Sequence, residues 1–105
     1  MAESRIDQLK TILAQDPNNV LTRYALAMEY SGAGETDCAV GEFQCLIASN
    51  PDYANAYFMA AQALMRAERN EEAAKMLRDG ITAAKRSGNR HAESEMQQML
   101  DDLEK

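Results

Sequence analysis

Residues 16–52 read DPNNVLTRYALAMEYSGAGETDCAVGEFQCLIASNPD, and the two ends of the stretch carry matching punctuation. Asp16-Pro17-Asn18 opens it and Asn50-Pro51-Asp52 closes it, 34 residues on. Working outward at that period, Ala27 meets Ala61, Asp37-Cys38-Ala39 meets Glu71-Glu72-Ala73, and Ile47 meets Ile81. Tyr24 pairs with Phe58, Tyr30 with Leu64, Phe43 with Leu77, and Arg23 with Tyr57. A fixed period of this length marks a stack of small supersecondary units, none of which can bury its apolar face alone.

Each unit is helical. Ala, Leu, Glu, Gln, Lys, Arg and Met dominate the chain, and strand candidates are absent. Ser4 with Asp7 resembles a capping box and opens a helix that ends near Gln15, with Ile6, Leu9, Ile12 and Leu13 on one face. A second helix runs from about Asn19 to Ser31 and stops at Gly32-Ala33-Gly34. Thr36, Asp52, Asn70 and Asn89 are the expected N-caps of four more, the third ending before Asn50-Pro51 and the fifth at Gly88. The second and fourth helices are apolar nearly all round and need cover on more than one side. The third and fifth carry single stripes (Ala39, Phe43, Leu46, Ile47 and Ala73, Leu77, Gly80, Ile81) and belong to an outer layer. Small residues at Ala27, Ala61, Ala39, Ala73 and Gly80 let paired backbones approach closely.

The composition excludes several function classes. A chain of 105 residues fits one domain with a modest core, and 46% apolar with 27% charged residues is a globular balance. The net charge of −6 argues against nucleic acid as a partner, because phosphate binding needs clustered Lys and Arg. Met1-Ala-Glu-Ser-Arg-Ile-Asp has charges where a signal peptide needs an apolar run, and no stretch approaches membrane-spanning length, so a cytoplasmic protein without membrane contact is expected. Cys38 and Cys45, seven residues apart on one helix, have α-carbons about 10 Å apart, too far for a disulfide, and read as reduced small hydrophobes. His91 has no Ser, Cys or Asp arranged to orient it and reads as a partly buried packing residue. Ser31-Gly-Ala-Gly-Glu lacks the Lys of a phosphate loop, and the acidic residues are spaced as a solvated face. No catalytic residue, cofactor or metal site is expected.

The same residues resemble the tetratricopeptide repeat, a 34-residue helix-turn-helix with a W, L-G, Y, A, F, P pattern. In residues 20–53 the leucine-small pair is Leu26-Ala27, followed by Tyr30, Ala39, Phe43 and the closing Pro51, with Arg23 in place of the opening tryptophan. In residues 54–87 Tyr57, Ala61, Ala73 and Gly80 match, Leu64 and Leu77 replace aromatics, and Lys85 replaces the closing proline. Residues 4–15 look like the outer half of a truncated unit and residues 88–104 like a terminal capping helix, all within one domain, 1–105. The resemblance implies an all-α, right-handed superhelical stack of helical hairpins: six helices, two full repeats flanked by half-units.

It also implies a site. Such proteins generally do no chemistry, and their inner helices line a concave groove that receives a peptide or helix of a partner. The matching positions are Leu21, Tyr24, Met28 and Ser31 in the first unit. In the second they are Asn55, Phe58, Gln62, Met65 and Arg66. This apolar, methionine-containing lining suits an adaptor that binds an amphipathic helix or extended apolar segment. The alternative is a structural module, a homodimer or a fixed subunit of a larger complex, and the C-terminal helix could cover the groove or extend the stack. The carboxylate clamp for chaperone tails is not expected: its positions fall on Tyr24, Met28, Met59, Asn89 and Glu93, which lack the cations it needs.

Overall fold

The repeated punctuation is repeated in the hydrogen bonding. The computed structural model describes residues 4–105 and contains α1 (Arg5–Gln15), α2 (Val20–Gly32), α3 (Thr36–Ser49), α4 (Ala54–Arg66), α5 (Asn70–Ser87) and α6 (Arg90–Leu103). No strand occurs among the described residues, and Met1, Ala2 and Glu3 of the charged N-terminal run lie outside them. The α2–α3 turn closes with the Glu35 N–H donating to the Tyr30 carbonyl at 2.9 Å, and the α4–α5 turn with the Arg69 N–H donating to the Leu64 carbonyl at 2.8 Å. Both closures need one residue in the left-handed region: Gly34 at φ 77° and, one period later, Glu68 at φ 60°. Gly88 ends α5 the same way at φ 73°.

The proline turns also match. The Asp16 N–H donates to the Ile12 carbonyl (2.9 Å), and the Asn50 N–H to that of Leu46 (2.7 Å). Arg23 Nη2 reaches the Pro17 carbonyl at 3.0 Å, and one period on the Tyr57 hydroxyl donates to the Pro51 carbonyl at 2.7 Å. Arg23 and Tyr57, one period apart, thus tie α2 and α4 to the turns before them in the same way.

Ser4 and Asn89 cap α1 and α6 as expected, accepting from the N–H groups of Asp7 and Ala92, and Asn19, expected as the start of α2, is its cap and accepts from the Thr22 N–H. Three expected caps are corrected. Glu35 and Arg69, whose N–H groups are consumed by the turn closures, occupy the cap positions before α3 and α5, so Thr36 and Asn70 become first helical residues. Before α4 the cap position is Tyr53, and Asp52 instead receives the Arg86 guanidinium at 2.6 and 2.9 Å. Arg69 bridges α3 to α5, contacting Asp37 at 2.5 Å and both carboxylate oxygens of Glu72 at 2.6 and 2.8 Å. That guanidinium holds the Glu72 carboxyl below its ordinary range.

Consecutive helices pack as antiparallel pairs, and Ala27, Ala39, Ala61 and Ala73 are wholly inaccessible at the closest approaches. Phe43, Leu64, Leu77 and Met96 are the largest fully buried side chains. Because each hairpin touches only its neighbours, the molecule is elongated, 47 × 28 × 17 Å. At the C-terminal end Gly80 admits α4 and α6 together: a Cβ there would lie 2.5 Å from Met96 Sδ and 2.7 Å from Tyr57 Cβ.

Two single-residue expectations fail. Cys38 and Cys45 are free but exposed, because the buried stripe of α3 is Ala39, Val40, Phe43 and Leu46, and both thiols fall off its edge. His91 is exposed, its side chain 87% accessible, with Nε2 2.7 Å from Glu95 Oε1. The inward stripe of α6 runs through Met96 and Leu100, which leaves His91 on the other face.

Candidate functional site

The helices divide into two rows. α2 meets α4 and α4 meets α6 within 8 Å at the α-carbons, whereas α1, α3 and α5 make no such approach to one another. A stack whose even row is closer-set than its odd row curves toward the even side, so α2, α4 and α6 line the hollow flank. α6 makes no contact with α2; it extends the row and does not fold across it.

The nine expected groove residues are placed unequally. Leu21, in the first turn of α2, is 78% exposed. Met28 and Met65 are half-buried, each resting on core residues with one side accessible. Phe58 is half-buried against the cluster that contains Met96 and Leu100. Gln62 is half-buried, and Asn55 and Arg66 are exposed. Ser31 and Arg66, at the C-terminal ends of α2 and α4, are brought together by a short hydrogen bond from the guanidinium to the hydroxyl. Tyr24 is engaged within the fold: its ring stacks on Tyr53 (centroids 5.9 Å, 5° between planes) and meets Phe43 edge-on at 6.0 Å. Burial raises the Tyr24 hydroxyl above the usual tyrosine range.

Sequence reasoning missed the α6 part of this face. Phe58 shares a recess of about 500 Å³ with His91, Ser94, Glu95, Gln98, Met99 and Asp102. Counted from each helix start, Tyr24, Phe58 and Ser94 are fifth residues, and Met28, Gln62 and Gln98 are ninth. The start of α6 lies 36 residues after that of α4 (90 − 54), against 34 between α4 and α2 (54 − 20), because α5 has 18 residues where α3 has 14. The strict period therefore places α6 two residues out of register. The signal was present in the spacing from Asn19 to Asn89, both side-chain N-caps.

A second cleft, about 350 Å³, opens on the outer side where α3 and α5 separate over α4. Val40, Ile47, Leu64 and Met76 floor it, and Glu72, Lys75 and Asp79 stand at its rim. Its charges are satisfied internally, Lys75 by Asp79 at 3.0 Å and Glu72 by Arg69. Among the described residues no three His, Cys, Asp or Glu side chains gather as a metal site, and no helix is long and apolar enough to cross a membrane.

Comparison with known proteins agrees with this architecture. No protein-family model matches the chain. A TPR repeat-containing protein of Pseudomonas aeruginosa is 27% identical over 100 residues, 95% of either chain. The solution structure of a Bordetella parapertussis protein superposes with a TM-score of 0.80 at 24% identity, over 97% of this chain and 89% of that one, a likeness of fold. The solution structure of a tetratricopeptide repeat domain protein from Salinibacter ruber is 30% identical, with a TM-score of 0.75 over 84% of this chain and 89% of that one. With the all-α stack, the periodic turns and this relative together, the chain belongs to the tetratricopeptide-repeat family.

Proposed function

We propose that the chain is an adaptor that holds a peptide or amphipathic helix of another protein along the hollow flank formed by α2, α4 and α6. The tetratricopeptide fold is generally a protein-protein interaction module, and the members of its family are generally not enzymes. The observation that carries the reading is an apolar series on α2 and α4 that keeps accessible surface, Leu21 exposed and Met28, Phe58 and Met65 half-buried. Such side chains lose water when a complementary apolar face arrives, at roughly 25 cal/mol for each Å² removed. Methionine adapts its shape to the incoming residue, and a rigid ring such as Phe58 anchors it.

Leu21→Ser with Met65→Ser tests this without touching the rings that stack inside the fold. Capture of a bound peptide should weaken by on the order of 2 kcal/mol in calorimetric titration, with helicity unchanged by circular dichroism. Unaltered affinity would remove the groove from the account. The rival reading, self-association, is favoured by the exposure of Ile12 (45%) and Leu21 (78%) at the N-terminal end of the stack. Sedimentation across a dilution series separates the two: the adaptor stays monomeric, and a tight dimer supports the rival.

A further inference from the structure

The hollow flank changes character along its length. Leu21 and Met28 on α2 are apolar, Phe58 on α4 stands beside Gln62, and the matching surface of α6 ends in the carboxylates of Glu95 and Asp102. The recess between Phe58 and α6 thus has a ring at one wall and carboxylates at the other. On α6, His91 contacts Glu95 at 2.7 Å, and the Gln98 amide donates to Asp102 at 3.3 Å. Lys105, beyond the helix and 82% exposed, lies 3.8 Å from Asp102. Arg66, the cation of the α4 portion, is engaged by the Ser31 hydroxyl of α2.

Resting on the groove reading above, we infer that the occupant is a peptide segment that is apolar where it crosses α2 and α4 and carries Lys or Arg where it crosses α6. Charge complementarity selects it. A lysine or arginine lays its aliphatic stem along Phe58 and Met99, with its head at Glu95 or, two helical turns on, at Asp102. Close approach to the ring adds a cation–π attraction. An acidic segment is repelled by the same rim and by the net charge of −6. A second copy of the chain is disfavoured on the same ground: in a two-fold contact through this face the α6 carboxylates meet either one another or the apolar Leu21 and Met28 surface, and neither supplies a counter-charge.

The probe is a random-peptide phage library, panned against the whole chain and against two variants of verified helicity, Phe58→Ala and Glu95→Lys with Asp102→Lys. Peptides enriched on the parent chain should combine apolar residues with Lys or Arg near one end, bind less well at high salt, and lose about tenfold in affinity on charge reversal. The charge-reversed chain should select Asp and Glu at the corresponding end. If enrichment depends on Phe58 while the selected charges are unaffected by reversal, the inference fails and the groove reading survives. If no enriched peptide depends on Phe58, or sedimentation shows a dimer that occludes it, both fall.

Discussion

Gly80 is the residue on which the C-terminal packing turns, and Gly80→Ala measures it. In an exposed helix interior, alanine is better than glycine by up to about 1 kcal/mol, because glycine gives up more backbone freedom on folding. At Gly80 the added methyl would sit 2.5 Å from Met96 Sδ and 2.7 Å from Tyr57 Cβ, about 1 Å inside ordinary contact. Neither neighbour yields easily. Met96 is fully buried, and Tyr57 is pinned by its hydroxyl bond to Pro51. Overpacking of this kind costs about 1–3 kcal/mol, and subtracting the propensity gain leaves a net loss of roughly 1–2 kcal/mol. For a domain near this size the melting temperature should fall on the order of 5–10 °C. Gly41, exposed in the middle of α3 with nothing within 4 Å of a built Cβ, is the control: Gly41→Ala should gain about 0.5–1 kcal/mol. Urea and thermal unfolding followed by circular dichroism read both. If Gly80→Ala is as stable as the parent chain, or moves in the same direction as Gly41→Ala, the reasoning about the α4–α5–α6 junction is wrong.

Three other outcomes are expected. Glu68→Gly should stabilise the protein by about 0.5–1 kcal/mol in urea unfolding, since a non-glycine residue in the left-handed region costs more than glycine adds in chain entropy. Tyr57→Phe, which leaves the buried ring and removes the donor to Pro51, should cost about 1 kcal/mol in the same assay. Glu72 titrates below its ordinary value in the folded chain, so its contribution is present above the unfolded-state pKa and is lost as pH falls through the folded one. Glu72→Gln should flatten that part of the acid limb of a stability-pH profile, and an unchanged limb would show that the Arg69 bridge has no bearing on stability.

The sequence made the repeat legible because its signals are local and obligatory. A proline must interrupt the helix before it, so Pro17 and Pro51 mark two turns, and Ala27 and Ala61 mark the tight crossings as buried alanines. What failed depends on competition between groups. Thr36, Asp52 and Asn70 are good capping residues, yet each sits beside a residue whose N–H the turn had already engaged. Glu68 could not be read as left-handed, since only its alignment with Gly34 reveals it. Tyr24 looked like a free anchor because one period cannot show that Tyr53 and Phe43 hold its ring. His91 looked buried because the strict period was carried one helix too far.

The register of α6 bears on recognition. α5 is four residues longer than α3 (18 − 14), and the buried Ala83 and Ala84 in its last turns extend its seam with α6. The extra length, less the shorter connection that follows, shifts α6 two residues later than the period predicts. Met96 and Leu100 therefore turn inward and seal the end of the core against Gly80 and Tyr57. The same rotation brings His91 and Glu95, in place of Asn89 and Glu93, to the third-unit positions where a chaperone clamp would need Lys and Arg. Core closure and groove charge are thus set by one register. A substitution that displaces α6 at Gly80 should weaken a lysine-bearing peptide more than a purely apolar one, because only the former uses carboxylates that move with the helix.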